Sequence, residues 1–284
     1  MNFFKALILS GLFFSQSVFA YVGAVSAGTA DAGTAAVEAS EAPFRNPATI
    51  GYLTGYYFSA GFGAIHQTSG QSAQDLSVSL TDNMRETVVP TSFSYLQENT
   101  KPDQGENTLH QQFKLSFGNM IREGVGFGFA VQHLADRISQ QSYSQTNVQT
   151  GLLIAPTKDI GAAVLFDNLI PASSDVPDIY RTKQTMAIGG SYNYRRFVRV
   201  KADVISATNN SFDHPTLAAG MESYMNRWLI LRWGVQRNNE KAADVYAGGL
   251  GFISPRFGLH YAYQNSPQDE SLTRHSVDLA IPIW

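Results

Sequence analysis

From about residue 55 to the C-terminus the chain repeats one pattern: segments of roughly ten residues in which apolar side chains alternate with small or polar ones. A period of two is that of a strand with two unlike faces, and it runs through too much of the chain for a helical architecture. Phe113, Leu115 and Phe117 alternate with Gln112, Lys114 and Ser116; Val148, Thr150 and Leu152 alternate with Asn147 and Gln149; Leu259, Tyr261 and Tyr263 alternate with His260, Ala262 and Gln264. Fourteen such segments can be counted, the first near 55–67, the third near 86–97, the eighth near 180–193 and the last near 272–283.

The connections are asymmetric. Longer ones, such as 97–107, 168–180 and 206–213, alternate with short ones at 121–123, 156–157, 194–195, 225–226 and 254–255. An even number of strands with short turns on one side is the plan of an up-and-down barrel whose two termini share that side. A soluble β-sandwich also has many short strands, but its outer face is charged. Here the apolar faces carry rows of aromatics and the opposite faces are small and polar, which suits lipid outside. Charged residues are 15% of the chain, against about 25% in an ordinary soluble protein, and aromatics are 12%. Past the N-terminus there is no apolar run of about 18 residues or more, so membrane helices are excluded. The fold expected is all-β: a transmembrane antiparallel up-and-down β-barrel of about 14 strands with a short N-terminal plug.

The first 20 residues read as a Sec signal peptide, with Lys5, an apolar run from Ala6 to Phe14 and Val18-Phe19-Ala20 before the cleavage point. The run is too short for a membrane anchor. Residues 21–50 form a plug or periplasmic segment, rich in Ala and Gly and able to order only against something else, a disordered tail being the plainer reading; residues 51–284 form the barrel. Pro43 and Pro47 keep regular structure from running through the junction.

The net charge of −3 and the scattered Lys and Arg give no reason to expect nucleic acid. With no Cys there is no disulfide framework, thiol chemistry or zinc-thiolate site. The six histidines are dispersed without metal-ligand spacing, so neither a cofactor nor a metal is expected and the chain does not read as an enzyme. His214, in Asp213-His214-Pro215, is the best candidate for an embedded hydrolase, and a solvated loop histidine is its plainer reading.

Asn46-Pro47-Ala48, preceded by Ala36 to Pro43 and the Gly-rich Ala27 to Gly33, resembles the plug-to-barrel junction of the FadL/OmpP1 family of outer-membrane transporters. Gly161 to Pro171 and Met186 to Tyr192 resemble its PorV-type branch. The resemblance implies fourteen strands, a hatch in the lumen, and a defect in the wall at the third strand through which a hydrophobic substrate leaves sideways. It places Asn46, Pro47 and Ala48 beside that defect. Pro90, read as several residues inside the third segment, would delete a ladder bond there; at the strand's start it would be unremarkable. With about thirty residues before the first strand and short outer loops, the hatch would be a reduced one.

Lys114, Arg199, Lys201, Asp203, Glu222 and Arg232 lie in phase with the polar faces, as do Arg274 and Asp278. Buried ions need partners or water, so these either knit a paired interior or line a wet passage where an arginine holds a substrate carboxylate. The terminal Trp284 resembles the signal read by the barrel-assembly machinery in a C-terminal strand, although it is in phase with Asp278 rather than with Val277 and Leu279.

These readings converge on a barrel in the outer membrane of a Gram-negative bacterium that passively admits hydrophobic or amphipathic small molecules such as long-chain fatty acids, with a possible lateral opening at strand 3. Its partners would be outer-membrane lipids, a hydrophobic small-molecule substrate and the assembly machinery. The alternative is a closed, PorV-like barrel that docks a partner protein; an outer-membrane hydrolase is the third reading.

Overall fold

A computed structural model of the chain describes residues 23–84, 86–103, 106–138, 141–177, 181–207, 214–268 and 272–283. The expected signal peptide and Trp284 lie outside them. Fourteen strands follow in order: β1 (Gly55–His66), β2 (Ser72–Asn83), β3 (Thr91–Lys101), β4 (Thr108–Arg122), β5 (Val125–Ile138), β6 (Gln141–Ile154), β7 (Ile160–Asp167), β8 (Thr185–Tyr194), β9 (Val198–Ala207), β10 (Thr216–Tyr224), β11 (Leu229–Asn238), β12 (Ala243–Ile253), β13 (Gly258–Ser266) and β14 (Leu272–Ile283). Each pairs antiparallel with its sequence neighbours, and β1 closes on β14, with Phe62 opposite Val277. Closure leaves no strand edge, which a sheet in hydrocarbon cannot tolerate.

The alternation sorts the side chains as its chemistry requires. On β4, Phe113 and Leu115 point outward and exposed while Lys114 and Ser116 are buried inward. Phe62, Leu80, Phe93, Trp233, Leu250 and Val277 continue the outer apolar surface around the barrel. A patch of that extent is untenable in water and ordinary in lipid. No described helix is long and apolar enough to cross a membrane.

One end, here the turn end, carries the start of β1, the end of β14 and the connections 84–90, 123–124, 155–159, 195–197, 225–228 and 254–257. The other, the loop end, carries 168–184 and the remaining connections. The turn between β8 and β9 is unusual: Arg195 and Arg196 have φ of 50° and 57°, and Phe197 N donates to Tyr194 O at 2.9 Å. That is a type I′ turn, which twists with the strands but favours Asn and Gly at its two central positions.

Two strands differ from the sequence reading. β8 begins at Thr185 rather than near residue 180, because side chains hold the preceding segment as loop: Asn168 Nδ2 donates to Lys183 O at 3.1 Å and Gln184 Nε2 to Leu169 O at 2.9 Å. β3 begins at Thr91, so Pro90 is not inside the third strand but immediately before it. Proline has no N–H to give a ladder, and the β-prone Thr87-Val88-Val89 ahead of it stays in the connection.

The lumen holds residues 23–53, none of them exposed. Helix α1 (Ala24–Gly28) lies against β11 to β14, the chain then follows the wall to β7, and α2 (Ala42–Arg45) crosses to β3 and β4. A 3₁₀ turn, Pro47–Tyr52, seats on β4, β5 and β6 before β1 begins. Such close seating needs glycine in the wall. A Cβ on Gly220 would lie 2.7 Å from Thr29 O, and one on Gly118 or Gly128 would overlap the backbone of Pro47. Gly128→Val is therefore expected to destabilise the seated plug by about 1–3 kcal/mol. Limited proteolysis should then cut within residues 23–53 of a barrel that remains heat-modifiable, whereas Gly190→Ala, where a Cβ meets nothing within 4 Å, should behave as the parent.

Asp31, in the plug, gives a second expectation. Burial pushes its carboxyl above the usual range despite Arg45 and Arg274 nearby. A raised acid favours the folded state while protonated, so its contribution is full below the ordinary carboxylate pKa and is lost as pH rises through the elevated one. Asp31→Asn should raise the melting temperature at neutral pH and remove that part of the pH dependence. Asn also suits the left-handed φ of 67° at this position.

Candidate functional site

Lys114, Arg199, Lys201, Asp203, Glu222 and Arg232 all face the lumen, as their phase in the sequence implies. Four of them form one network. Cross-strand register sets Glu222 opposite Arg199 on β9 and Arg232 on β11, with Lys201 two residues along the same face. Glu222, wholly buried, accepts from Lys201 Nζ at 2.9 Å, Arg232 Nε at 3.1 Å and Arg199 Nη1 at 3.2 Å, and from the Tyr224 hydroxyl at 3.2 Å. Arg232 Nη1 reaches His260 Nδ1 at 3.1 Å. The plug supplies a further anion, Glu38, at 3.3 Å from Arg199.

The other two pin the plug. Asp203 Oδ2 accepts the backbone N–H of Gly33 at 2.7 Å and of Thr34 at 2.8 Å, and the Thr34 hydroxyl at 2.8 Å. Lys114 Nζ donates to Phe44 O at 2.8 Å and Gln149 Oε1 at 2.7 Å. Asp278, also in phase with the lumenal faces, accepts from Ala24 N at 2.6 Å, and Glu41, which the sequence did not single out, accepts from the N–H and hydroxyl of Ser26. Asp278 had been placed on the lumenal face, but its partner is 254 positions away and nothing local marks it. Arg274, likewise in phase with the lumen, pairs with Asp75 at 3.0 Å, a partner that nothing in the sequence marks. His214 stands exposed just before β10 at the loop end.

Asn46, Pro47 and Ala48 begin the 3₁₀ turn. Asn46 caps it, its Oδ1 accepting from Ala48 N at 3.1 Å, and its Nδ2 donates to Thr34 O at 2.9 Å, tying the two halves of the plug together. Pro47 occupies the first position of the turn, where a missing N–H costs nothing. The tripeptide rests on β4, β5 and β6 through Gly118, Gly128 and Gly151.

The wall beside it is incomplete. The last β3–β4 register pair is Thr91 with Phe117, and beyond it only Gly118 N donating to Pro90 O at 3.1 Å continues the contact. Residues 119–122 of β4 have no partner on β3, while on the far side β2 stops at Asn83. The notch between them is spanned by the connection 84–90, with Val88 86% and Ile121 70% exposed on its lips. Its inner side is stopped by the 3₁₀ turn, whose Ile50 O accepts from Asn83 Nδ2 at 2.9 Å. Gly118 joins the elements, since Pro90 holds its N–H and Pro47 covers its α-carbon.

Removing the anion at the centre of the network tests its weight. Glu222→Gln leaves Lys201 and Arg232 buried around a neutral amide and is expected to cost about 3–5 kcal/mol, read as an earlier urea or thermal unfolding transition in detergent. Exposed Lys183, paired with Glu240, is the control; Lys183→Ala should change stability by less than about 1 kcal/mol.

The sequence matches no known protein-family model and no curated protein. Solved structures do match over nearly the whole chain. The CymD monoaromatic hydrocarbon channel aligns at 11% identity and a TM-score of 0.74, covering 92% of this chain and 97% of that one. The Ralstonia pickettii toluene transporter TbuX aligns at 12% identity and 0.73, covering 93% and 99%. A Pseudomonas aeruginosa FadL homologue aligns at 11% identity and 0.65, covering 91% and 97%. At such identities the likeness is one of fold: this chain shares the barrel architecture of these channels and transporters over nearly its whole length.

Proposed function

We propose that the protein is an outer-membrane channel for passive uptake of small hydrophobic molecules, long-chain fatty acids and monoaromatic hydrocarbons being the classes to test, and that these leave the lumen sideways through the notch beside β3. The observation that carries this reading is the notch itself: a ladder that ends at Pro90, apolar lips at Val88 and Ile121, and a 3₁₀ turn as its inner stopper. A polar solute has no reason to prefer an exit into hydrocarbon, whereas an apolar one gains about 25 cal/mol for each Å² it removes from water. Asn46, Pro47 and Ala48 act as the movable inner side of this gate and Pro90 as its fixed rim. The charged lumenal residues hold the plug and its wall in place. The fold shared with the toluene transporter TbuX and the CymD hydrocarbon channel supports the reading, as does the lipid-facing outer surface for the location.

One observation favours the assembly reading as a second choice. Residues 23–53 fill the lumen with none of them exposed, and a closed barrel that serves only to dock a partner would have such an interior.

Uptake of labelled oleate and toluene by intact Gram-negative cells lacking their own hydrophobic channels, set beside sugar entry into liposomes, separates the readings. The channel should raise hydrophobic uptake several-fold and leave sugar entry at the level of empty liposomes. Val88→Glu together with Val89→Glu, which puts charge on the lipid-facing lip, should abolish most of the gain without unfolding the barrel. Sugar entry would identify a general pore instead. No uptake from a folded barrel, with a stoichiometric protein co-purifying, would establish the assembly role.

A further inference from the structure

At the turn end, on the side of the barrel away from the notch, a pocket of about 330 Å³ is lined by Arg196, Tyr224, Asn226, Arg227, Ile230 and Ile253. Three of its polar side chains, Arg196, Arg227 and Asn226, can donate into it. Among the described residues neither Arg196 nor Arg227 has a carboxylate partner, the Arg227 guanidinium resting 4.7 Å over the Trp228 ring. The Asn226 Oδ1 is committed to Trp228 N at 2.8 Å and Leu229 N at 3.0 Å, which leaves its Nδ2 hydrogens to give. The Tyr224 hydroxyl donates to Glu222, and Arg199 lies 5.7 Å over the Tyr224 ring, so the ring is held from behind and adds a third cation just beyond the pocket. Ile230, buried, and Ile253 supply an apolar floor.

The backbone points the same way. Arg196 sits at φ 57° and Arg195 at 50°, in a two-residue turn where side chains other than Asn and Gly are strained by about 1–2 kcal/mol each. Strained positions gather where a side chain is needed in a particular place. The two arginines part company there: Arg195 stacks on Tyr194 at 5.2 Å, whereas Arg196 enters the pocket.

We infer that this pocket binds the anionic head of a tailed amphiphile, a carboxylate or a phosphate, with Arg196 and Arg227 as a planar-donor clamp and Ile230 and Ile253 under the first carbons of the tail. Two guanidiniums and an amide NH₂ select a negative charge, the guanidinium fork matches both head groups, and the apolar floor distinguishes an amphiphile from a free ion. The site is independent of the notch and of the transport reading.

Binding is tested on the refolded barrel in a neutral maltoside detergent, by calorimetry and by the fluorescence of Trp228 beside Arg227. The ligands are decanoate, decyl phosphate, decanol and inorganic phosphate. Decanoate or decyl phosphate should bind at least about tenfold more tightly than decanol or inorganic phosphate, the value of one charge-assisted hydrogen bond. The preferred head identifies the source, a fatty acid or a phospholipid-like ligand. Arg196→Asn, which removes the charge yet suits the left-handed turn, and Arg227→Gln should each weaken binding by about tenfold. Arg195→Asn, altering the same turn without touching the pocket, should leave binding unchanged. Equal affinity for decanol and decanoate, equal affinity for inorganic phosphate, or the same loss in Arg195→Asn as in Arg196→Asn would overturn the assignment.

Discussion

A closed sheet of fourteen strands encloses more space than its own inward side chains fill, since about eight strands already make an interior just wide enough for them. The rest of the structure follows from that width. The chain fills the space with its own N-terminal segment, but a backbone brought into a lumen brings unpaired N–H and C=O groups, and each needs a partner. Asp203 and Asp278 accept plug N–H groups and Lys114 donates to a plug carbonyl. Where the plug lies flat on the wall, glycines admit it. On the wall beside the plug, Glu222 gathers three of the cations that this polar interior carries.

Much of the barrel was legible because a strand with lipid on one side and a polar interior on the other writes its two faces into alternate positions. The third strand was misread because Thr87, Val88 and Val89 are β-prone, and only Pro90 marks that the ladder has not yet begun. The charged lumenal residues were recognised as a set from their phase, yet their roles were not, since those depend on register between strands and on plug contacts such as Asp203 with Thr34, 169 positions apart. Wall glycines such as Gly118 and Gly220 read in sequence as neutral small residues; only the plug lying over them shows why a methyl would not fit.

Opposite sides of the turn end differ in chemistry. Beside β3 the wall thins to a notch with apolar lips and a backbone stopper, a geometry suited to an uncharged solute passing into hydrocarbon. Across the barrel, at the turns after β8 and β10, Arg196 and Arg227, which have no carboxylate partner among the described residues, line a pocket with Ile230 and Ile253. The stopper and the turn-end pocket both adjoin plug contacts, Asn46 with Thr34 on one side and Glu38 with Arg199 on the other.

The central claim is that a hydrophobic solute passes only when the plug shifts. Position 161 offers a direct lock: a Cβ there would lie 3.9 Å from that of Ala35, within the separation a disulfide spans, and Ala35 packs in one cluster with Ala48 of the 3₁₀ turn. The chain has no cysteine of its own, so Ala35→Cys with Gly161→Cys gives a single bridge. Toluene and oleate uptake by cells carrying this variant should fall to the level of cells without the barrel when the bridge is oxidised and recover on reduction. Equal uptake in the two states would contradict the account, because the solute would then have a path that the seated plug does not close.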